Sequence, residues 1–236
     1  MKYLIWDFDG TLGYRAGMWT GTLLEVLHRD MPGHGYTAEE IHPHLQDGFP
    51  WHAPDLSHPE IESAGEWWDA MDQVFERAFG AMGVEPDRAG LLAQRVRDLY
   101  PLPEYWQLFD DTIPALRALS SRGWEHVILS NHVPELGSIL HALGIDEFFT
   151  HVFNSADTGY EKPHPQAFAN VVDTIGPDHT LWMIGDNIDT DIRGASRSGI
   201  PGILVRTRHP DAPHSCADLM ELPAIVDAIP SCGTSS

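Results

Sequence analysis

Two aspartates, Asp7 and Asp9, stand two positions apart in the stretch WDFDGTLG, directly after the apolar run YLIW. If the extended conformation continues past that run, both side chains face the same side of the chain. Gly10 then lets the backbone turn without steric cost. Neighbouring carboxylates can bind a cation, attack an electrophile, or move a proton when one of them can be protonated. They equally suit a plain turn after a strand, since Asp and Gly favour turns. A calcium loop does not fit. Counted from Asp7, Thr11 and Leu12 stand where an acid or amide and a glycine are required.

A second acidic group follows another apolar run. In GDNIDTDIRGA (185–195), Asp186, Asp189 and Asp191 lead into a short helix-like segment. Acids at a helix N-terminus complement its dipole, which accounts for one or two of the three. A calcium loop fails here too, because Arg193 and Ile200 fall on ligand positions counted from Asp189. One of these acids completing a Mg2+ site with Asp7 explains why two strand ends are acidic. Mg2+ prefers oxygen ligands and takes only a couple of carboxylates, with water and phosphate filling the rest. The third feature is Lys162, set between Glu161 and Pro163 in a chain with 35 acidic residues and a formal net charge of -21. Only one other lysine exists, Lys2, so Lys162 reads as a charge that compensates something nearby.

The elements that must position these groups follow from hydrophobic patterning. Short apolar runs end abruptly in small or polar residues at 2–7, 124–131, 147–155, 181–187 and 202–207. Helix-like segments at 111–123, 133–144, 164–176 and 191–199 lie between or after the later runs. Such alternation predicts an α/β fold with a Rossmann-like parallel sheet and helices on both faces. The runs are nearly continuous rather than alternating, as buried parallel strands are. Ligands bind beyond the carboxyl ends of strands in these sheets, so Asp7, Ser130 and Asp186 should gather at one rim.

Residues 14–103 break the rhythm. Helix-like stretches at 18–30, 63–83 and 87–100 predict a smaller α-helical domain inserted after the first strand, with a Pro/His-rich connector at 42–60 and a hinge at 100–105. The core is then expected to comprise residues 1–13 and 104–236, and the insertion residues 14–103. At 236 residues the chain is long enough for that arrangement. The acidic balance argues against nucleic acid and anionic membranes as partners. No run approaches the roughly 20 apolar residues that span a bilayer. The run YLIW is too short for a signal peptide, and Cys216 and Cys232 make neither a disulfide framework nor a metal motif. The expectation is a cytoplasmic protein, monomer or homodimer, with reduced thiols.

DFDGT, LSN, EKPHPQAF and GDNIDTDIRGA, in that order, resemble the four motifs of the haloacid dehalogenase-like (HAD) superfamily over residues 1–13 and about 104–207. The helical insertion resembles the family's cap. The resemblance implies that Asp7 attacks phosphorus to form an aspartyl-phosphate. Asp9 protonates the leaving oxygen, then activates water, and its backbone carbonyl helps hold Mg2+. Ser130 and the Asn131 backbone bind the phosphoryl oxygens. Gly10 and Thr11 shape the phosphate pocket. Lys162 balances the charge of Asp7 and the phosphoryl group, while Asp186 ligates the metal with Asp191 as an outer or alternative ligand. Family dehalogenases lack the second aspartate of the first motif, so Asp9 favours phosphate ester hydrolysis. No lysine lies between Lys2 and Lys162, which removes the family chemistries that use a cap lysine, phosphonate hydrolysis and sugar-phosphate mutation.

The expected activity is Mg2+-dependent hydrolysis of a small phosphorylated metabolite. Alternatives are a haloacid dehalogenase-type hydrolase, a phosphotransferase, or a silent binding protein on the same fold. Arg15 is a candidate contact for a second anionic group, or a solvated hinge residue. Trp19, Trp51, Trp67 and Trp68 read first as cap core and second as a stacking surface. The six histidines between residues 28 and 58 match no standard zinc spacing.

Overall fold

The structure, a computed structural model, describes residues 1–58 and 63–228. The end of the Pro/His-rich connector and the tail with Cys232 lie outside the described residues. Among the described residues eight strands occur in chain order: β1 (Lys2–Trp6), β2 (Gly13–Arg15), β3 (Trp106–Leu108), β4 (Trp124–Ser130), β5 (Phe149–Asn154), β6 (Thr180–Gly185), β7 (Gly202–Val205) and β8 (Ser215–Cys216). The α-helices are α1 (Met18–Asp30), α2 (Ala38–Ile41), α3 (Ala64–Ala81), α4 (Pro86–Leu99), α5 (Thr112–Ser120), α6 (Leu136–Ala142), α7 (Ser155–Thr158), α8 (Pro165–Ile175), α9 (Gly194–Arg197) and α10 (Leu222–Ala228).

Six strands form a sheet in the order β5-β4-β1-β6-β7-β8, with every pairing parallel. The central strand β1 shows why both faces are covered. Leu4 and Trp6 pack into the cluster that contains Leu116 of α5, Ile139 of α6 and Val226 of α10. Tyr3 and Ile5 point the other way, onto Phe168 and Val171 of α8 and Ala195 of α9. The period of two thus divides one apolar run between two helical layers. One expected run departs from this pattern. Thr150, His151 and Val152 of β5 are exposed, because β5 is an edge strand with a partner on one side only.

The helical insertion is built on α1, α3 and α4. Leu23 and Leu27 of α1, Trp67, Phe75 and Phe79 of α3, and Leu92 and Val96 of α4 are all buried in one core. Ser63 caps α3 by accepting from the Glu66 N–H at 3.2 Å, and Pro86 opens α4 at its first turn. The two chain crossings between sheet and insertion pair as a small antiparallel ribbon absent from the sequence reading. Gly13 lies opposite Leu108, and Arg15 opposite Trp106. Strands this short carry too little pattern to be seen in sequence.

Candidate active site

Register brings the chemistry together. Trp6 pairs with Ile128 on one side and Ile184 on the other, so Asp7, Ser130 and Asp186 leave adjacent strands at the same rim. The Asp7 N–H still donates to the Ile184 carbonyl at 2.9 Å. Past it the chain drives Phe8 into the core and closes a tight loop, in which the N–H groups of Thr11, Leu12 and Gly13 all converge on the Phe8 carbonyl. Gly10 sits in that loop at a φ of 74°, and a Cβ there would collide with the Asp186 carboxylate. Only glycine lets the two acidic strand ends come this close.

Asp7 is held through one oxygen. Its Oδ1 accepts from the Ser130 hydroxyl at 2.8 Å and lies 2.9 Å from the Lys162 ammonium. Lys162 is 2% exposed, and its second partner is Asp191 Oδ1 at 2.7 Å. Burial alone would lower the lysine, yet Asp191 and Asp7 outweigh it and hold the ammonium above its ordinary range. The loop that carries the lysine is clamped by Asn131, whose side chain donates to the Lys162 carbonyl at 3.0 Å and accepts from its N–H at 2.7 Å. Sequence reasoning assigned Asn131 a backbone role; the structure shows its amide spent on positioning the lysine.

The acids after β6 separate into distinct places. Asp186 accepts from Thr11 Oγ1 at 3.3 Å, and burial followed by the Asp7 charge pushes it up to about 6. Asp191 is fully buried in a π-helical turn, Ile188–Arg193. Both its oxygens are engaged, Oδ1 by Lys162 and Oδ2 by the Asn187 N–H at 3.0 Å. Asp189 is exposed and pairs with Arg193, away from the rim. Donor oxygens of Asp7, Asp186 and Asp191 lie within 4.8 Å of one another, and among the described residues they form the one cluster of that kind. An all-oxygen carboxylate set of this size fits Mg2+. Asp191 is the member already committed to other partners. The cap histidines form no such cluster among the described residues.

Asp9 and His132 make a pair that the sequence did not announce. Asp9 Oδ2 is 3.8 Å from His132 Nε2, and neither that nitrogen nor Asp9 Oδ1 has a hydrogen-bond partner. His132 is wedged against Phe8 and Trp106, and burial lowers it to about 4. Burial first, then the charges of Asp7 and Asp186, raise Asp9 well above the carboxylate range, which favours its protonated form. A buried imidazole beside this carboxyl could only be found once Phe8, Trp106 and His132 were placed in space.

Above the rim a cavity of about 610 Å³ opens between sheet and helices. Asp7, Asp9, Gly10, Asp186 and Lys162 line one side, with Asn131, His132, Asn187 and Thr190 beside them, while Tyr14, Arg15, Met18, Trp19, Trp51, Tyr100 and Val133 line the rest. Arg15 is therefore no solvated hinge residue: it is 4% exposed and borders the same cavity as Asp7. Trp67 and Trp68 are buried in the helical core and do not line the cavity. Trp68 instead donates from Nε1 to both Glu135 oxygens, at 3.0 and 3.2 Å, tying α3 to the start of α6.

These features define a class. The haloacid dehalogenase-like hydrolase family matches residues 1–199, and the chain belongs to that family. It is an enzyme fold of hydrolases, here with a helical cap. Phosphoserine phosphatase from Thermus thermophilus is 28% identical over 93% of this chain and 94% of its own. Glyceraldehyde 3-phosphate phosphatase from Methanopyrus kandleri is 29% identical over 64% of this chain and 68% of its own. Among solved structures, magnesium-bound YfnB from Bacillus subtilis superposes with a TM-score of 0.76 at 22% identity, covering 96% of this chain and 98% of that one. The L-2-haloacid dehalogenase of Xanthobacter autotrophicus, solved with chloropropionic acid covalently bound, gives 0.69 at 18% identity over 97% and 99%. Those two likenesses concern the fold alone. No helix among the described residues is long and apolar enough to cross a membrane.

Proposed function

We propose that this hydrolase is a Mg2+-dependent phosphatase acting on a small phosphate monoester through an aspartyl-phosphate. The observation that carries the reading is Asp9: a second carboxyl that borders the same cavity as Asp7, with its proton affinity raised by burial and by the charges of Asp7 and Asp186. Displacing an alkoxide from phosphorus needs such an acid, whereas displacing halide from carbon does not.

The residues then divide the work. An Asp7 carboxylate oxygen forms a bond to phosphorus, and the ester P–O bond breaks as the Asp9 proton passes to the departing oxygen. Asp9, now ionised, takes a proton from water as the water oxygen bonds to phosphorus. The Asp7–phosphorus bond breaks, freeing phosphate and restoring both carboxyl groups. Ser130 and Lys162 fix Asp7 for this attack, and Lys162 offsets the phosphoryl charge. Asp191 keeps the lysine aimed, and Asn131 clamps its backbone. Asp7 and Asp186 would hold Mg2+, together with the Asp9 carbonyl implied by the family motif; bound there, the ion neutralises phosphoryl charge. The cap covers the site and limits it to small esters.

Release of phosphate from p-nitrophenyl phosphate tests this, measured with Mg2+ and with EDTA. We expect turnover with the metal and its loss on chelation. Halide release from 2-chloropropionate without any phosphatase activity would favour the dehalogenase reading. Transfer of the phosphoryl group to added alcohols in preference to water would favour a phosphotransferase.

A further inference from the structure

The walls of the cavity differ from its floor, and the difference names a substrate class. Trp19 stacks on Tyr100 with ring centroids 3.5 Å apart and planes at 6°. Trp51 stacks on Phe49 at 4.7 Å and 12°, and lies nearly parallel to Trp19 at 6.3 Å. These rings brace one another, so the apolar wall is formed before any ligand arrives. The ring faces themselves offer a hydroxyl no partner. Of the amides that border the cavity, Asn131 is used on the Lys162 backbone, and Asn187 gives its oxygen to the N–H groups of Asp189 and Thr190. The Tyr14 hydroxyl donates to Gln107 Oε1 at 3.0 Å. A polyol laid against those ring faces would lose water hydrogen bonds without replacement there, which is costly.

On this wall one buried cation is left over. Arg15 is buried with its guanidinium 4.6 Å from the Tyr105 ring and 5.4 Å from that of Tyr100. Its Nε donates to the Tyr100 carbonyl at 3.4 Å, but Nη2 has no hydrogen-bond partner. Glu25 comes only to 3.9 Å, because its Oε1 serves Arg29 at 2.6 Å and the Tyr105 hydroxyl at 2.9 Å. Arg15 borders the cavity, and its buried Nη2 still lacks an acceptor.

We infer that the cavity selects phosphate monoesters whose leaving group is flat and apolar and carries a carboxylate, with Trp19, Trp51 and Tyr100 holding the ring and Arg15 the carboxylate. The inference rests on the phosphatase reading and refines it. Its test compares esters of primary alcohols, whose leaving groups are alike in acidity: benzyl phosphate, 3- and 4-carboxybenzyl phosphate, and glucose 6-phosphate, each with Mg2+. We expect kcat/KM for benzyl phosphate to exceed that for glucose 6-phosphate by about tenfold or more, and a carboxylate to add about another tenfold. Within Arg15→Met, the ratio of carboxybenzyl to benzyl should fall to about one. Within Trp51→Leu, the preference of benzyl over glucose 6-phosphate should shrink by about tenfold.

Equal or preferential use of glucose 6-phosphate overturns the inference and leaves the phosphatase reading intact. So does a carboxybenzyl ratio that survives in Arg15→Met. Phosphate release from none of these esters overturns both. The wild-type comparison stands even if a variant does not fold.

Discussion

The rim of the sheet and the wall of the cap border one cavity and are built on opposite principles. At the rim, charge is dense and almost every charged group is held by another: Lys162 by Asp7 and Asp191, Asp7 by Ser130, Asp186 by Thr11. At the wall, rings hold rings, and the one cation, Arg15, keeps an unmatched donor. The rim is thus addressed to what all phosphate esters share, a phosphoryl group. The wall is addressed to what distinguishes them. Rim substitutions should therefore damage every substrate alike, and wall substitutions should change the order of preference.

The largest effect belongs to Asp7→Asn. The amide keeps the shape of the carboxylate but cannot attack, so turnover should fall about 10⁴-fold or more on every ester, benzyl and sugar alike. Phosphate release measured across the panel checks this. A loss confined to one ester class would erase the division between rim and wall.

Lys162→Met comes next. The ammonium offsets charge in the transition state, and removing such a group costs about 100-fold or more in rate. It also leaves Asp7 and Asp191 facing each other without their shared cation. Breaking a buried ion pair from one side typically costs about 3–5 kcal/mol, which urea unfolding would read. Equal rate losses across the panel are expected. Unchanged turnover would move the lysine out of the chemistry altogether.

That contrast also explains how much could be read from the sequence. Asp7, Asp9 and Asp186 were legible because each follows an apolar run, and parallel strands deliver their ends to one rim. Lys162 was legible because it is so isolated in composition. The fate of Asp191 was not. Its choice between metal and lysine depends on a π-helical turn and on the missing side chain of Gly185, where a Cβ would strike its carboxylate. His132 and the free donor of Arg15 were equally hidden, since burial and a lack of partners are properties of packing. The small ribbon β2–β3 escaped because two strands of three residues carry no period.

A third experiment probes the seam between the two regions. Glu161 precedes Lys162, is 1% exposed, and has an Oε2 without a hydrogen bond. Across the seam the His58 ring approaches to 3.8 Å, and the His58 backbone N–H donates to the Gly159 carbonyl at 2.8 Å. Burial pushes the Glu161 carboxyl up to about 7. Because the folded value lies above the ordinary one, its contribution is fully present at low pH and is lost as pH rises through about 7. From pH 6 to 8.5 this one group should remove about 1–2 kcal/mol of stability. In Glu161→Gln the fall in stability should shrink by that amount, as read from urea midpoints at the two pH values, with Asp186 keeping its own smaller share. An unaltered slope would place the pH sensitivity elsewhere.

No change in the order of substrate preference is expected of Trp68→Phe. Trp68 does not touch the cavity, yet its indole N–H bridges α3 of the cap to Glu135 beside the core helix α6. Phenylalanine keeps an aromatic ring in the cap core but loses the donor and leaves a gap where the rest of the buried indole stood. Glu135 is half-buried and can turn to water, so the lost hydrogen bond should cost about 1.5 kcal/mol and the gap about 1 kcal/mol or more besides. A looser cap should raise KM for all esters together. The ratio of benzyl to glucose 6-phosphate should stay fixed, because Trp19, Trp51 and Tyr100 keep their mutual stacking. A shifted ratio would mean that the wall is set by how the cap sits on the core, and that selectivity cannot be assigned to the stacked rings alone.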